Sequence, residues 1–555
     1  MKKTIVALLA LVMALSAMLA GCSTAAPTTA PTTAPSAAAA TDAPTTAPTE
    51  PAQANGLPIV SEPMTIKVIT HDNYETSASY ATTEIPVFTE LEKRTGIHVE
   101  FEVYAGGDDY NNAVQTKLAA GSELPDLFLM PGSDPMKFAS TGLIVPLDDL
   151  IAANAPAIAK LYADNPQYRA GLVCPDGKQY TIATVSSMAP FNMPSIIIRQ
   201  DWIEKAGLQS PVTIEDWTAV LEAFKTKDLN GNGQQDEVPL CTYGSPFYMM
   251  EYFASAYGSH ILETVTWAEE GWYVDADGKV QNDFISPATK DWIVQMNKWY
   301  QAGYFDAEML SQNGDKWNAK ILDNKAGTAF TYSLNQPQWN DKMKETYPGT
   351  NWKNIRPPQG PAGDGFYEIG DGLLMDHQYA ISKSCAHPDI VMKWLNYLYA
   401  DDQGKMLLTW GIEGQDYTMV NGQPSYNRET IVNNPKGQGY ALWSRGIIGN
   451  LPYVLPKTHL TDRFGQYADT AADMDAIGKY TRLAPAYALP SEEESSTYSN
   501  IMPNIKTYAD EMILKFILGK EPIDKFDTYV EKIKSMNLTD VQAVKQAQYD
   551  RANKK

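Results

Sequence analysis

Between Thr65 and Met130 the spacing of apolar residues changes period repeatedly, and that alternation limits the possible folds more than any other feature of the chain. Thr65-Ile66-Lys67-Val68-Ile69 alternates as a strand does. Pro86 opens a segment with Phe88 and Leu91 inside, and Gly96 stops it. His98 to Val103 alternates again. A second helix is expected from Asp109 to Ala120, with Val114 and Leu118 on one face and Gly121 at its end. Leu124-Pro125-Asp126 then runs into Leu127-Phe128-Leu129-Met130. Strand, helix, strand, helix, strand is the order of a parallel α/β sheet.

Ahead of this region lie Met1-Lys2-Lys3 and an uncharged apolar run from Thr4 to Leu19. Basic residues, an apolar core and small residues at a cut site form a secretory signal. The run falls short of the ~20 residues of a membrane helix, and no later run is longer. Leu19-Ala20-Gly21-Cys22 resembles the lipobox of bacterial lipoproteins, whose cysteine receives a diacylglycerol after cleavage. The resemblance implies that residues 1–21 are a signal peptide. It also implies that Cys22 is a lipid anchor on the extracytoplasmic face of the membrane, as on a Gram-positive surface. Residues 22–56 hold Ala, Thr, Pro and Ser with almost no large apolar residue. They cannot bury enough surface to offset chain entropy, and read as a disordered linker.

A length of 555 residues suffices for two or three domains. A net charge of −22 argues against nucleic acid as a partner. Cys174, Cys241 and Cys385 fit no zinc spacing and read as small core residues.

Further along, Thr213 and Asp216 are placed for a capping box, and Trp217, Val220, Leu221 and Phe224 share one helical face. The next loop, Asp228 to Glu237, carries the clearest chemistry in the chain. Asp228, Asn230, Asn232 and Asp236 sit where an EF-hand places its first, third, fifth and ninth ligands. Gln234 would offer its backbone carbonyl. Pro239 stands where the EF-hand glutamate would be, and Glu237 is the natural substitute. Three carboxylates in one turn repel each other unless a cation joins them. Structural Ca2+ is the expectation, held by Asp228, Asn230, Asn232, Gln234, Asp236 and Glu237.

The Pro125-Asp126 strand and Gly142-Leu143-Ile144-Val145-Pro146-Leu147 resemble the family 1 solute-binding proteins of ABC importers. So do Arg199 to Leu208, the loop at Asp228, Gly271 to Val280 and Gly303-Tyr304-Phe305-Asp306. Arg356 to Pro361, Trp410 to Gly414 and Phe516 to Gly519 continue the likeness, which spans roughly residues 60–550. It is strongest to the alginate-oligosaccharide-binding and LipO-like lipoproteins.

The resemblance implies an α/β chain of the two-lobed periplasmic-binding-protein fold, type II-like, with a ligand cleft between the lobes and hinge crossings. Each lobe is expected to hold a mostly parallel sheet. Residues 57–185 plus 335–415 would form the N-terminal lobe. Residues 186–334 plus 416–555 would form the C-terminal lobe, with the calcium loop 228–237. The expected role is capture of a carbohydrate, as a monomer, for delivery to the permease subunits of an ABC transporter. The alternatives are the same fold binding a peptide or other solute, and an exported glycan-cleaving enzyme.

No HExxH pair, Gly-x-Ser-x-Gly elbow, P-loop or Rossmann fingerprint occurs, so no catalytic residue is assigned. Tyrosine and tryptophan are abundant, at 31 and 12 against 15 phenylalanines. Each offers an apolar face and a hydrogen-bonding edge, which a sugar requires. The ligand candidates are Tyr74, Tyr243, Tyr332, Trp339, Trp410 and Trp443, with Asp126 and Glu413 as polar partners.

Overall fold

The computed structural model describes residues 56–553, except 73–78, 82–83, 106, 132–134, 187–193, 243–249, 262–269, 371, 450 and 465–467. The signal peptide, Cys22 and nearly all of the linker therefore lie outside the described residues, as do Tyr74 and Tyr243.

The alternation that opens the chain builds the first sheet. Met64–His71 and Ile97–Tyr104 are strands, separated by the helix Pro86–Thr95. That helix stops at Gly96, in the left-handed region at φ 76°, where a side chain would be strained. The helix Gly107–Ala120 leads to the short strand Leu127–Leu129. These three strands pair in parallel. Thr181–Ser186, Leu373–Ile381 and Val454–Leu455 complete six strands. Leu373–Ile381 runs antiparallel between Leu127–Leu129 and Thr181–Ser186. Apolar residues fill both faces, as a sheet between helical layers requires. Ile66, Val68 and Leu127 pack with Leu91, Trp394 and Leu398 on one face. Ile69 and Phe128 pack with Tyr110, Val114 and Leu118 on the other.

The second sheet has three strands, ordered Thr328–Tyr332, Pro194–Arg199, Trp352–Ile355. Both pairings are antiparallel, which corrects the expectation of a mostly parallel sheet here. The chain enters Pro194–Arg199 from the first sheet, and the two flanking strands both run back toward that entry point. Within the central strand Ile196 and Ile198 join one core, with Trp202, Trp217 and Phe224. Ile197 faces a smaller core containing Trp317, Trp339 and Trp352. The 26-residue helix Glu492–Ile517 packs on the larger core. Its start is a capping box between Ser491 and Glu494, so Glu492 and Glu493 belong to a helix N-terminus.

Three passages join the sheets. One runs from Ser186 to Pro194, one from Ile369 to Leu373, and one between the helices Lys457–Arg463 and Ala468–Gly478. In the first sheet His71, Tyr104, Leu129, Ser186 and Leu455 all end on one edge, where Leu373–Ile381 begins. Every passage leaves from that edge. Tyr332 and Ile355 end on the matching edge of the second sheet, beside the start of Pro194–Arg199.

Cys174, Cys241 and Cys385 are all buried, as core residues should be. Among the described residues no helix is long and apolar enough to cross a membrane.

Candidate ligand cleft and calcium loop

In open α/β sheets ligands bind beyond the carboxyl ends of the strands, where the chain changes direction. The edges that carry the three passages meet that description. On the first sheet His71 lies edge-on to Tyr110, with ring centres 5.3 Å apart. The Tyr110 hydroxyl donates to the Leu129 carbonyl at 2.6 Å, which fixes the ring at the strand end. Asp72 follows His71, and its Oδ1 accepts the Tyr80 N–H at 3.1 Å. The Tyr104 hydroxyl donates to Glu102 at 2.8 Å. That bond pushes its pKa up to about 12, so it remains a neutral hydroxyl.

On the second sheet a buried polar chain lies along the edge. Ser195 donates to Asn354 Oδ1 at 2.5 Å, and Asn354 donates to Gln336 Oε1 at 3.3 Å and to the Ser333 carbonyl at 3.1 Å. Thr470, on the helix after the third passage, donates to the same Gln336 oxygen at 2.6 Å. Lys353 also reaches Asp473 of that helix at 3.6 Å. The helix before the passage is tied to the hairpin strand Gln423–Tyr426, whose Tyr426 packs in the core of the first sheet. Asp462 accepts from Ser425 at 2.8 Å and from Arg428 at 2.6 Å. The passage therefore has an anchored helix on each side. None of these polar groups stands out in sequence, because their partners lie far along the chain.

The candidates named from sequence are only partly brought together. Tyr332 ends its strand on the cleft edge, half-buried. Asp126 does not reach it. The strand it introduces runs from Asp126 toward Leu129, so Asp126 lies at the opposite end of the sheet. Its carboxylate accepts the Lys67 N–H at 2.9 Å and laces two strands together. Trp339, Trp410 and Trp443 are core residues, with 3%, 1% and 8% of their surface exposed. Trp339 packs between Trp317 and Trp352, Trp410 against Tyr426, and Trp443 on Tyr80. Their ring faces are occupied by protein. Glu413 is exposed on the turn after the helix Asp402–Trp410.

The sequence matches the bacterial extracellular solute-binding protein family over residues 74–405, more than half of the chain. The chain is a bacterial extracellular solute-binding protein. This solute-binding protein is 24% identical over 495 residues to the fructooligosaccharide ABC transporter substrate-binding protein FusA of Streptococcus pneumoniae serotype 4 (strain ATCC BAA-334 / TIGR4). The match covers 84% of this chain and 87% of FusA. Lipoprotein LipO of Bacillus subtilis (strain 168) is 24% identical over 360 residues, 60% of this chain and 64% of LipO. Among solved structures, alginate-binding protein AlgQ2 without calcium ion superposes with a TM-score of 0.70 at 22% identity. It covers 89% of this chain and 99% of its own. An HMO-binding, ABC-transporter-associated solute-binding protein from Bifidobacterium longum infantis ATCC 15697 gives 0.73 at 19% identity. It covers 89% and 100%. The solute-binding protein thus has their two-lobed fold.

The loop from Asp228 to Glu237 follows the helix Ile214–Thr226, whose capping box at Thr213 and Asp216 forms as expected. Gly231 and Gly233 take positive φ and let the chain curl around Asp228. Asp228 accepts the N–H groups of Gly231 and Asn232 on one oxygen and of Gly233 on the other, at 2.8 to 3.1 Å. Glu237 Oε1 accepts from Leu229 and Asn230, while its Oε2 is buried with no partner. Asp236 accepts from the amides of Asn230 and Asn232 and pairs with Lys325 at 2.9 Å. The lysine ammonium holds the Asp236 carboxyl below the usual carboxylate range. Among the described residues no three acidic, His or Cys side chains are already gathered for a metal. The oxygens nonetheless fit a hard cation, and Glu237 Oε2 lacks the partner that one would supply.

Proposed function

We propose that this solute-binding protein captures an oligosaccharide between its lobes and delivers it to the permease subunits of an ABC transporter. The observation that carries the reading is the set of three passages at one strand-end edge, lined by tyrosines and hydrogen-bonding side chains. Such an edge supplies a hinge and a polar cleft together. FusA, similar along most of the chain, is a fructooligosaccharide-binding protein, and AlgQ2 binds alginate. The lobes are proposed as residues 57–186 with 373–463, and 194–369 with 468–552, in place of the expected 57–185 with 335–415 and 186–334 with 416–555. The reason is that Trp339 and Trp352 pack on Ile197 of the second sheet, while Tyr417, Tyr426 and Leu442 pack in the core of the first.

No bond is broken in this role. The protein acts as a monomer that closes on its ligand and is read in the closed form. The likeness to LipO supports a lipoprotein held at Cys22 on the outer face of a Gram-positive membrane, with residues 22–56 as tether. Tethering raises the local concentration beside the permease. The calcium loop is proposed to bind structural Ca2+ through Asp228, Asn230, Asn232, Asp236, Glu237 and the Gln234 carbonyl. Support comes from the orphaned Glu237 oxygen and from relatives described as an EF-hand mutant of FusA and as AlgQ2 without calcium.

Isothermal titration of the chain from residue 23 against oligosaccharide and peptide panels tests the reading. Saturable binding of one or more oligosaccharides is expected, with no new reducing ends on prolonged incubation. Binding of peptides alone would overturn the carbohydrate assignment. Released reducing ends would overturn the non-catalytic one.

A further inference from the structure

Three cations gather where the strand Tyr367–Ile369 pairs with Thr481–Leu483. The Arg482 guanidinium lies over the Phe366 ring, 3.7 Å from its centre, and donates to His260 Nε2 at 3.3 Å. The Arg356 guanidinium lies over the Tyr480 ring at 4.1 Å and donates to the Tyr480 hydroxyl at 2.9 Å. It also donates to Asp364 at 2.5 Å. Lys479 Nζ stands 4.9 Å from the centre of the Tyr480 ring. Beside them is a cavity of about 400 Å³, lined by Asp364, Phe366, Lys479, Tyr480 and Arg482.

The chain has 66 acidic residues against 44 basic ones, so an exposed cation ordinarily has a carboxylate within reach. Here only Arg356 is paired with one, Asp364. Lys479 and Arg482 form no ion pair among the described residues; both are exposed, and each is held by a ring. Both rings carry cations on their faces and have little surface left for a sugar to stack on. What faces the cavity is a set of N–H donors with net positive charge. A guanidinium held over a ring keeps N–H donors at its edge, and these are the groups that bind an oxyanion. Stacking also restricts the arginine before any ligand arrives, so less freedom is lost on binding.

We infer that this cavity is a site for an oxyanion, a carboxylate or sulfate group, borne by an acidic sugar residue. The inference rests on the carbohydrate reading only for the body of the ligand, since the cations select the charged group whatever carries it.

Titration of the chain from residue 23 with trigalacturonate, a neutral trisaccharide and sodium sulfate tests this. Trigalacturonate is expected to bind saturably and to weaken with added salt. Arg482→Gln and Lys479→Gln are each expected to weaken it about tenfold or more, with partial recovery in Arg482→Lys. Binding of any neutral sugar is expected to stay within twofold in all three variants, which also shows that they are folded. Sulfate binding that the same variants weaken, without any sugar binding, keeps the site and removes the sugar. Trigalacturonate affinity unchanged in both glutamine variants, or no saturation by either anion, overturns the inference.

Discussion

Trp339 shows how far a residue's neighbours in sequence can mislead. Gln, Asn and Pro surround it in the helix Asn335–Met343, so it reads as a loop aromatic free to meet a ligand. Its burial comes from Trp317 and Trp352, which sequence spacing does not bring near it. Trp339→Ala is therefore expected to lower stability by about 3–5 kcal/mol in denaturant titration. Oligosaccharide affinity should change less than twofold, where a stacking role would abolish binding. His459 supports a second prediction at this scale. Tyr426 donates to the Thr409 carbonyl at 2.5 Å, and its oxygen lies 2.6 Å from His459 Nε2. Nε2–H is then the donor, and Nδ1 is buried with no partner. Burial first, and the Arg463 charge second, push the His459 pKa well below the ordinary value. The unfolded chain therefore binds the proton more readily. Stability is full above the unfolded pKa of about 6.5 and falls as pH drops below it, with a slope approaching 1.4 kcal/mol per pH unit. His459→Gln should flatten that part of the stability profile.

At the scale of elements, the parts read best were those whose signals are local. The helix Ile214–Thr226 is fixed by Thr213, Asp216 and one apolar face, and it forms with both hydrogen bonds of its capping box. The strands Met64–His71 and Ile97–Tyr104 extend the expected segments by a residue or two at their ends. The direction of pairing in the second sheet was not legible. Antiparallel and parallel strands bury the same residues when both faces are covered, and Ile196, Ile197 and Ile198 give no alternation to distinguish them. The loop at Asp228 lies between these cases, since its residue pattern is local but its cation is not part of the chain. Saturating calcium at about a hundred times its dissociation constant should stabilise the fold by about 2.7 kcal/mol. Adding a chelator in a calorimetric melt should remove that gain. Asp228→Ala should lower the midpoint and abolish the response to calcium. An identical melt with and without chelator would exclude the metal.

For the whole molecule, the two-lobed architecture was legible because the likeness to a known family extends over nearly all of the folded part. The residues at the strand-end edge were harder to find. Ser195, Gln336, Asn354 and Thr470 form one hydrogen-bonded line, yet the first and last are 275 positions apart in sequence, 470 less 195. That line ties the helix after the third passage to the second sheet, while Asp462 ties the helix before it to Ser425 and Arg428, beside the core of the first. A hinge closure is expected to leave each of these helices attached to its own sheet. Saturation with a bound oligosaccharide is expected to reduce the radius of gyration measured by small-angle X-ray scattering. An unchanged radius at full occupancy would exclude closure.

The strand Leu373–Ile381 lies between Leu127–Leu129 and Thr181–Ser186, yet it is made long after both. Until residue 381 has left the ribosome, those two strands have no partner between them and the first sheet is split. The first sheet therefore cannot close as the chain emerges, and it waits until all three strands of the second sheet have been synthesised. Contacts this distant in sequence form slowly. A polypeptide that crosses a membrane as an open thread would gain from such a delay, since a sheet that cannot close early leaves it threadable for longer.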